Sequence, residues 1–134
     1  MQPQRVFIIT PHDPDGQRVQ DAVRAALEEA GLNVVQHRDA FRPGAELTLK
    51  VLDSIREADL IVADVSRQNP NVFYEMGFAH ALRKPTILLF DIKSGSHLPS
   101  DLDGLQCITY DPENFHSLAE RVKAETRAVA APSA

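Results

Sequence analysis

The chain has 134 residues, 43% of them hydrophobic and 25% charged, with a net charge of −5. That length suffices for one domain to bury a core without disulfides or metal. The acidic balance and the lack of a basic stripe argue against nucleic acid as the main partner, and the single cysteine, Cys107, argues against a disulfide framework or a multi-cysteine metal site.

Residues 6–10 (VFIIT) form a short apolar, β-branched run that stops in a cluster of breakers, Pro11-His12-Asp13-Pro14-Asp15-Gly16. This reads as a buried strand followed by a loop. Val19, Val23, Ala26, Leu27 and Ala30 recur at helical spacing, and Gly31 ends that helix. Residues 32–36 make a second strand, and residues 37–44 have turn character. Leu47, Val51, Leu52 and Ile55 mark a second helix. Residues 60–65 (LIVADV) are a third strand. Asn69 caps a third helix with Pro70 at its first position, running to about Arg83. Residues 86–90 and 105–110 give two more strands, and Phe115, Leu118, Ala119 and Val122 a last helix.

Strands alternating with helices imply a parallel sheet covered on both faces. Nearly continuous apolar runs fit strands buried on both sides. The expected fold is therefore α/β: a three-layer, flavodoxin-like domain with a parallel five-stranded sheet in the order 2-1-3-4-5. One domain is expected over residues 1–127, with a frayed tail at 128–134. No run approaches the roughly 18 apolar residues that span a membrane, and the polar first residues do not read as a signal peptide. A cytoplasmic protein with no membrane contact is expected.

Open α/β sheets bind ligands beyond the carboxyl ends of their strands, where the strand order reverses. Here that point lies between strands 1 and 3, at residues 10–16 and 64–71. Neither loop carries a G-x-G-x-x-G or a Walker motif, which argues against a Rossmann dehydrogenase and a P-loop NTPase.

The third helix is the most informative segment. Glu75 is the only acid or base between Arg67 and Arg83, with His80 taken as neutral. Its helical neighbours are Asn71, Val72, Phe78 and Ala79, so it lies on a largely apolar edge. It is either a site carboxylate or a structural residue capping a neighbouring loop. Asp64, at the end of the third strand, is either a site acid or an Asx-turn former. Together they make a candidate carboxylate pair of the kind that breaks glycosidic bonds through oxocarbenium-like transition states. Ser66, Asn69, Asn71 and Tyr74 fall in the same segment. Phe41 and Arg42 could stack on a base or meet a phosphate, or simply pack. His80 has no second ligand at metal spacing, and Cys107 falls in a strand, where packing is the simpler role.

At this helix the sequence resembles nucleoside 2-deoxyribosyltransferase-like proteins and the related TIR-like nucleotide-binding proteins. Residues 58–89 (ADLIVADVSRQNPNVFYEMGFAHALRKPTILL) carry a strand ending in Asp64, then Asn69, Asn71, Val72, Tyr74, Glu75, Met76, Gly77, Ala79, Ala81, Lys84 and Pro85. The likeness continues more loosely over residues 5–92. It implies a flavodoxin-like fold and catalysis by Glu75. It also implies that Asp64 helps hold the nucleobase or sugar, and that Asn69 and Asn71 line the pocket. Many relatives end the first strand in Met-Pro-Phe, whereas this chain has Thr10-Pro11-His12, which changes the residue that the resemblance implies would face the sugar or phosphate.

The expected activity is cleavage or exchange at the bond between (deoxy)ribose and base in a nucleoside, nucleotide or NAD, with NAD as substrate and no cofactor or metal. The alternative is a TIR-like nucleotide-binding sensor or interaction module without turnover. A phosphoacceptor receiver fits poorly, because no acidic pair directly follows the first strand and no lysine lies between Leu98 and Glu120. By analogy with small enzymes that share sites across subunits, a homo-oligomer is expected.

Overall fold

A computed structural model of the chain describes residues 4–35, 45–97 and 105–130. The elements in chain order are β1 (Arg5–Ile9), α1 (Pro14–Glu29), β2 (Asn33–Val35), α2 (Ala45–Glu57), β3 (Leu60–Asp64), α3 (Pro70–Ala81), β4 (Thr86–Asp91), β5 (Gln106–Tyr110) and α4 (Phe115–Ala130). All strand pairs are parallel, in the order β2-β1-β3-β4-β5. The expected architecture and strand order are both found. Among the described residues no helix is long and apolar enough to cross a membrane.

Successive side chains of a strand point to opposite faces, and both faces here are covered. Val6, Ile8, Leu60, Val62, Ile87 and Leu89 pack with Val19, Val23 and Leu27 of α1 and Leu118 and Val122 of α4. Phe7, Ile9, Ile61, Ala63 and Leu88 pack with Ile55 of α2 and Val72, Met76 and Ala79 of α3. All five residues of β3 are buried, so this strand is the spine of both cores. Truncating a fully buried side chain such as Ile61 or Leu88 to alanine removes about 2–5 kcal/mol.

The breaker cluster after β1 differs from the expected loop. α1 starts inside it: Asp13 is the N-cap, its carboxylate accepting from the Gly16 N–H at 2.7 Å, and Pro14 opens the helix. Gly16 is required there, because a Cβ would stand 2.0 Å from the Pro11 carbonyl oxygen. Acid, proline and glycine together make a tight strand-to-helix turn, not a loop. At the other end Gly31 takes φ +86°, as expected of a helix stop. α4 continues to Ala130, so the expected boundary at residue 127 falls inside it.

Candidate functional site

Asp64 closes β3. It follows Leu60 and Val62 on the α1/α4 face, and on that face its side chain reaches edge strand β5. The Tyr110 hydroxyl of β5 donates to Asp64 Oδ2 at 2.8 Å. The Ser66 N–H and hydroxyl both donate to Asp64 Oδ1. The Ser66 oxygen in turn accepts the Asp91 N–H at 2.8 Å, joining the ends of β3 and β4. Asp64 is 1% exposed and its carboxylate is held by hydrogen bonds alone, with no cation on it among the described residues. Burial, reinforced by the Asp64 charge, pushes the Tyr110 phenol well above its usual range, so it remains a donor.

α3 begins where the sequence placed it. The Asn69 side chain accepts from the N–H groups of Asn71 (2.8 Å) and Val72 (3.2 Å), and Pro70 follows. A cap of this type contributes about 1 kcal/mol. Val72, Met76 and Ala79 point to the core. Glu75 sits beside this stripe on the flank shared with Phe78, which packs beneath the Arg56 guanidinium of α2 at 5.8 Å. Lys84 holds the same flank from below, its ammonium capping the Arg56 carbonyl at the end of α2 (2.8 Å). Among the described residues no hydrogen bond or ion pair reaches the Glu75 carboxylate. Burial pushes its pKa up to about 7. A carboxylate desolvated without a partner is costly to the fold, and such sites are disproportionately functional.

The two expected acids stand in different surroundings. Asp64 is enclosed on the α1/α4 face, whereas Glu75 is unpartnered on a helix of the opposite face. Thr10 is buried and donates to Gln20 Oε1 at 2.8 Å. Pro11 is buried beneath Gly16, and His12 is exposed. Ser66 is buried within the Asp64 network, and the Asn69 amide is occupied as a cap. Asn71 is exposed, as is Tyr74, at 60%. Phe41 and Arg42 lie outside the described residues. His80 is exposed in the last turn of α3. Cys107 is half-buried in β5 with its thiol raised by burial, which suits packing better than nucleophilic attack.

Two residues of this region escaped the sequence reading. Tyr110 gave no local signal, because its partner is 46 positions away. Arg67 reaches from the β3–α3 loop to the start of α1, with Nη2 2.7 Å from Asp13 Oδ1 and Nη1 3.7 Å from Asp15 Oδ2. Its position in a loop at the expected switch point was a usable clue.

Residues 5–112 match the TIR-domain family of CAP12/Pycsar effector proteins. A Syntrophotalea carbinolica protein named as a 2′-deoxynucleoside 5′-phosphate N-hydrolase is 32% identical over 95 residues, 65% of this chain and 67% of that protein. The structure of a CMP N-glycosidase from Clostridium botulinum superposes with a TM-score of 0.63 at 25% identity, covering 86% of this chain and 98% of that one. A 2-deoxyribosyltransferase from Bacillus psychrosaccharolyticus shares the fold, with a TM-score of 0.62 at 16% identity over 86% of this chain and 90% of that one.

Proposed function

We propose, because this chain belongs to the TIR-domain family of CAP12/Pycsar effector proteins, that it cleaves the bond between (deoxy)ribose and base in a small nucleoside, nucleotide or NAD. The observation that carries this reading is Glu75, a partly buried carboxylate on α3 that no hydrogen bond or ion pair reaches among the described residues. Similarity to a nucleoside-phosphate N-hydrolase and to a CMP N-glycosidase supports the same bond as the target.

An N-glycosidic bond breaks through an oxocarbenium-like transition state, which a nearby carboxylate stabilises. Glu75 supplies that charge. A Glu75 oxygen bonds to the anomeric carbon as the carbon–nitrogen bond breaks, and the electron pair leaves with the base; a purine or pyrimidine then takes a proton from water, whereas the cationic nicotinamide of NAD leaves neutral. Water, or a second base in a transferase, then attacks the same carbon and frees Glu75. Desolvation serves this step, because a poorly hydrated carboxylate gains more from a developing cation than a solvated one. Asp64 acts as a positioning residue. Through Ser66 and Tyr110 it fixes the loop from which α3 starts, and α3 carries Glu75.

The family match is also compatible with a second reading, a nucleotide-binding sensor without turnover. Incubating purified protein with NAD, nucleosides and nucleotides, followed by chromatography for free base, separates the two. Release of base identifies an N-glycosidase and its substrate. Thermal stabilisation by a nucleotide with no base released identifies a sensor.

A further inference from the structure

Resting on that reading, we infer that Arg67 selects substrates bearing a 5′-phosphate, by taking the phosphate on the guanidinium edge it keeps free between the first and third strands. Arg67 spans the two loops at the point where strand order reverses, the usual ligand position in this architecture. Its Nη2 is anchored on Asp13 at 2.7 Å. Asp13 is itself fixed by capping α1 through the Gly16 N–H, so the guanidinium is held by a rigid acceptor. Arginine has five N–H donors. Among the described residues only the bond to Asp13 is made, since Nη1 stands 3.7 Å from Asp15, beyond hydrogen-bond reach.

Several other donors at this edge are spent. α1 and α3 both open with proline, which has no N–H. Gly16 N–H is taken by Asp13, and Asn71 and Val72 N–H by Asn69. Lys93, at the end of β4, is paired with Asp111 (3.2 Å) and Glu113 (3.3 Å). Arg67 keeps unused donors, is one-third exposed, and has a fork that matches a phosphate bidentately; Arg18, 3.9 Å from the same Asp15, also has donors to spare, but Arg67 is the one anchored on Asp13. Asp15 opposes an incoming anion, but at 72% exposure it can turn into solvent.

Ribose 5-phosphate and 2-deoxyribose 5-phosphate carry the phosphate of any such substrate without committing to a base. Calorimetric titration of both, with ribose as control, is made on wild type, Arg67→Met, Arg67→Lys and Asp15→Asn. Wild type binds a pentose phosphate more tightly than ribose. Arg67→Met binds it about tenfold more weakly or worse, as expected for loss of a charge-assisted pair. Arg67→Lys falls between, and Asp15→Asn binds more tightly than wild type. If Arg67→Met does not fold, Arg67→Lys and Asp15→Asn decide by the same directions. Pentose phosphate affinity unchanged by these substitutions, or no greater than that for ribose, overturns the assignment. If wild type releases base equally well from nucleosides and their phosphates, the hydrolase stands and Arg67 selects nothing. If pentose phosphate binding depends on Arg67 but no compound loses its base, Arg67 stands and the hydrolase falls.

Discussion

Asp64 and Glu75 lie on opposite sides of one parallel sheet and in opposite chemical conditions. Asp64 is buried under hydrogen bonds from Ser66 and Tyr110, whereas Glu75 is partly buried and, among the described residues, without a partner. Environments that separate two carboxylates in this way give them different roles. In the proposed mechanism the enclosed one builds and the other reacts.

The raised pKa of Glu75 makes it a liability to the fold. Its carboxyl moves from an ordinary 4.5 to about 7, so the native state holds the proton more tightly than the unfolded chain. Stability is therefore full below about pH 4.5 and falls as pH rises through about 7. At about 1.4 kcal/mol per pKa unit, discounted for partial solvent access, the loss is of the order of 2 kcal/mol. Glu75→Gln escapes it. Melting curves at pH 4.5 and pH 8 are predicted to show a variant that matches wild type at the lower pH and melts several degrees higher at the upper one. Equal melting points at pH 8 contradict a desolvated Glu75.

The same titration shapes activity. The attacking form is the carboxylate, so kcat/KM of the wild type is predicted to rise towards neutrality and level off above about pH 7. A profile that falls through the same range assigns Glu75 the role of a proton donor instead.

Tyr110→Phe leaves one Asp64 oxygen buried without its donor. The cost is predicted at about 1–3 kcal/mol, read as a lower midpoint in urea with an unchanged slope. Because Asp64 and Ser66 set the loop leading into α3, turnover falls with it, while exposed Tyr74→Phe changes stability by less than about 0.5 kcal/mol.

Gly16 and Gly77 both sit in helices and are predicted to respond oppositely to alanine. At Gly16 the new Cβ meets the Pro11 carbonyl at 2.0 Å, so the turn from β1 into α1 must open. At Gly77 nothing lies within 4 Å of the new Cβ, and alanine gains about 1 kcal/mol of helix propensity. Thermal melts of the two variants moving the same way contradict this account of the β1–α1 turn.

Much of the fold was legible because buried parallel strands write themselves as apolar runs, as in residues 60–65, and because Asn69-Pro70 is a strong local start signal. The start of α1 was not, since Pro11 to Gly16 read as breakers when they are cap, first turn and close approach. Glu75 was legible as the lone charge of an apolar helix. The enclosure of Asp64 was not: strand alternation and a partner 46 residues later determine it. The Arg67–Asp13 contact spans 54 positions and is equally invisible to local pattern.

The most direct test of the central claim is base release by wild type and Glu75→Gln side by side, on whichever nucleoside, nucleotide or NAD the wild type cleaves. The variant is checked for folding by its melting curve and for binding by calorimetry. The account predicts that Glu75→Gln loses about a thousandfold or more in kcat, in the range for a group acting at the reacting bond, while its affinity for substrate stays within a few-fold of wild type. Glu75→Gln turning over at the wild-type rate would contradict the assignment and return Glu75 to a structural role.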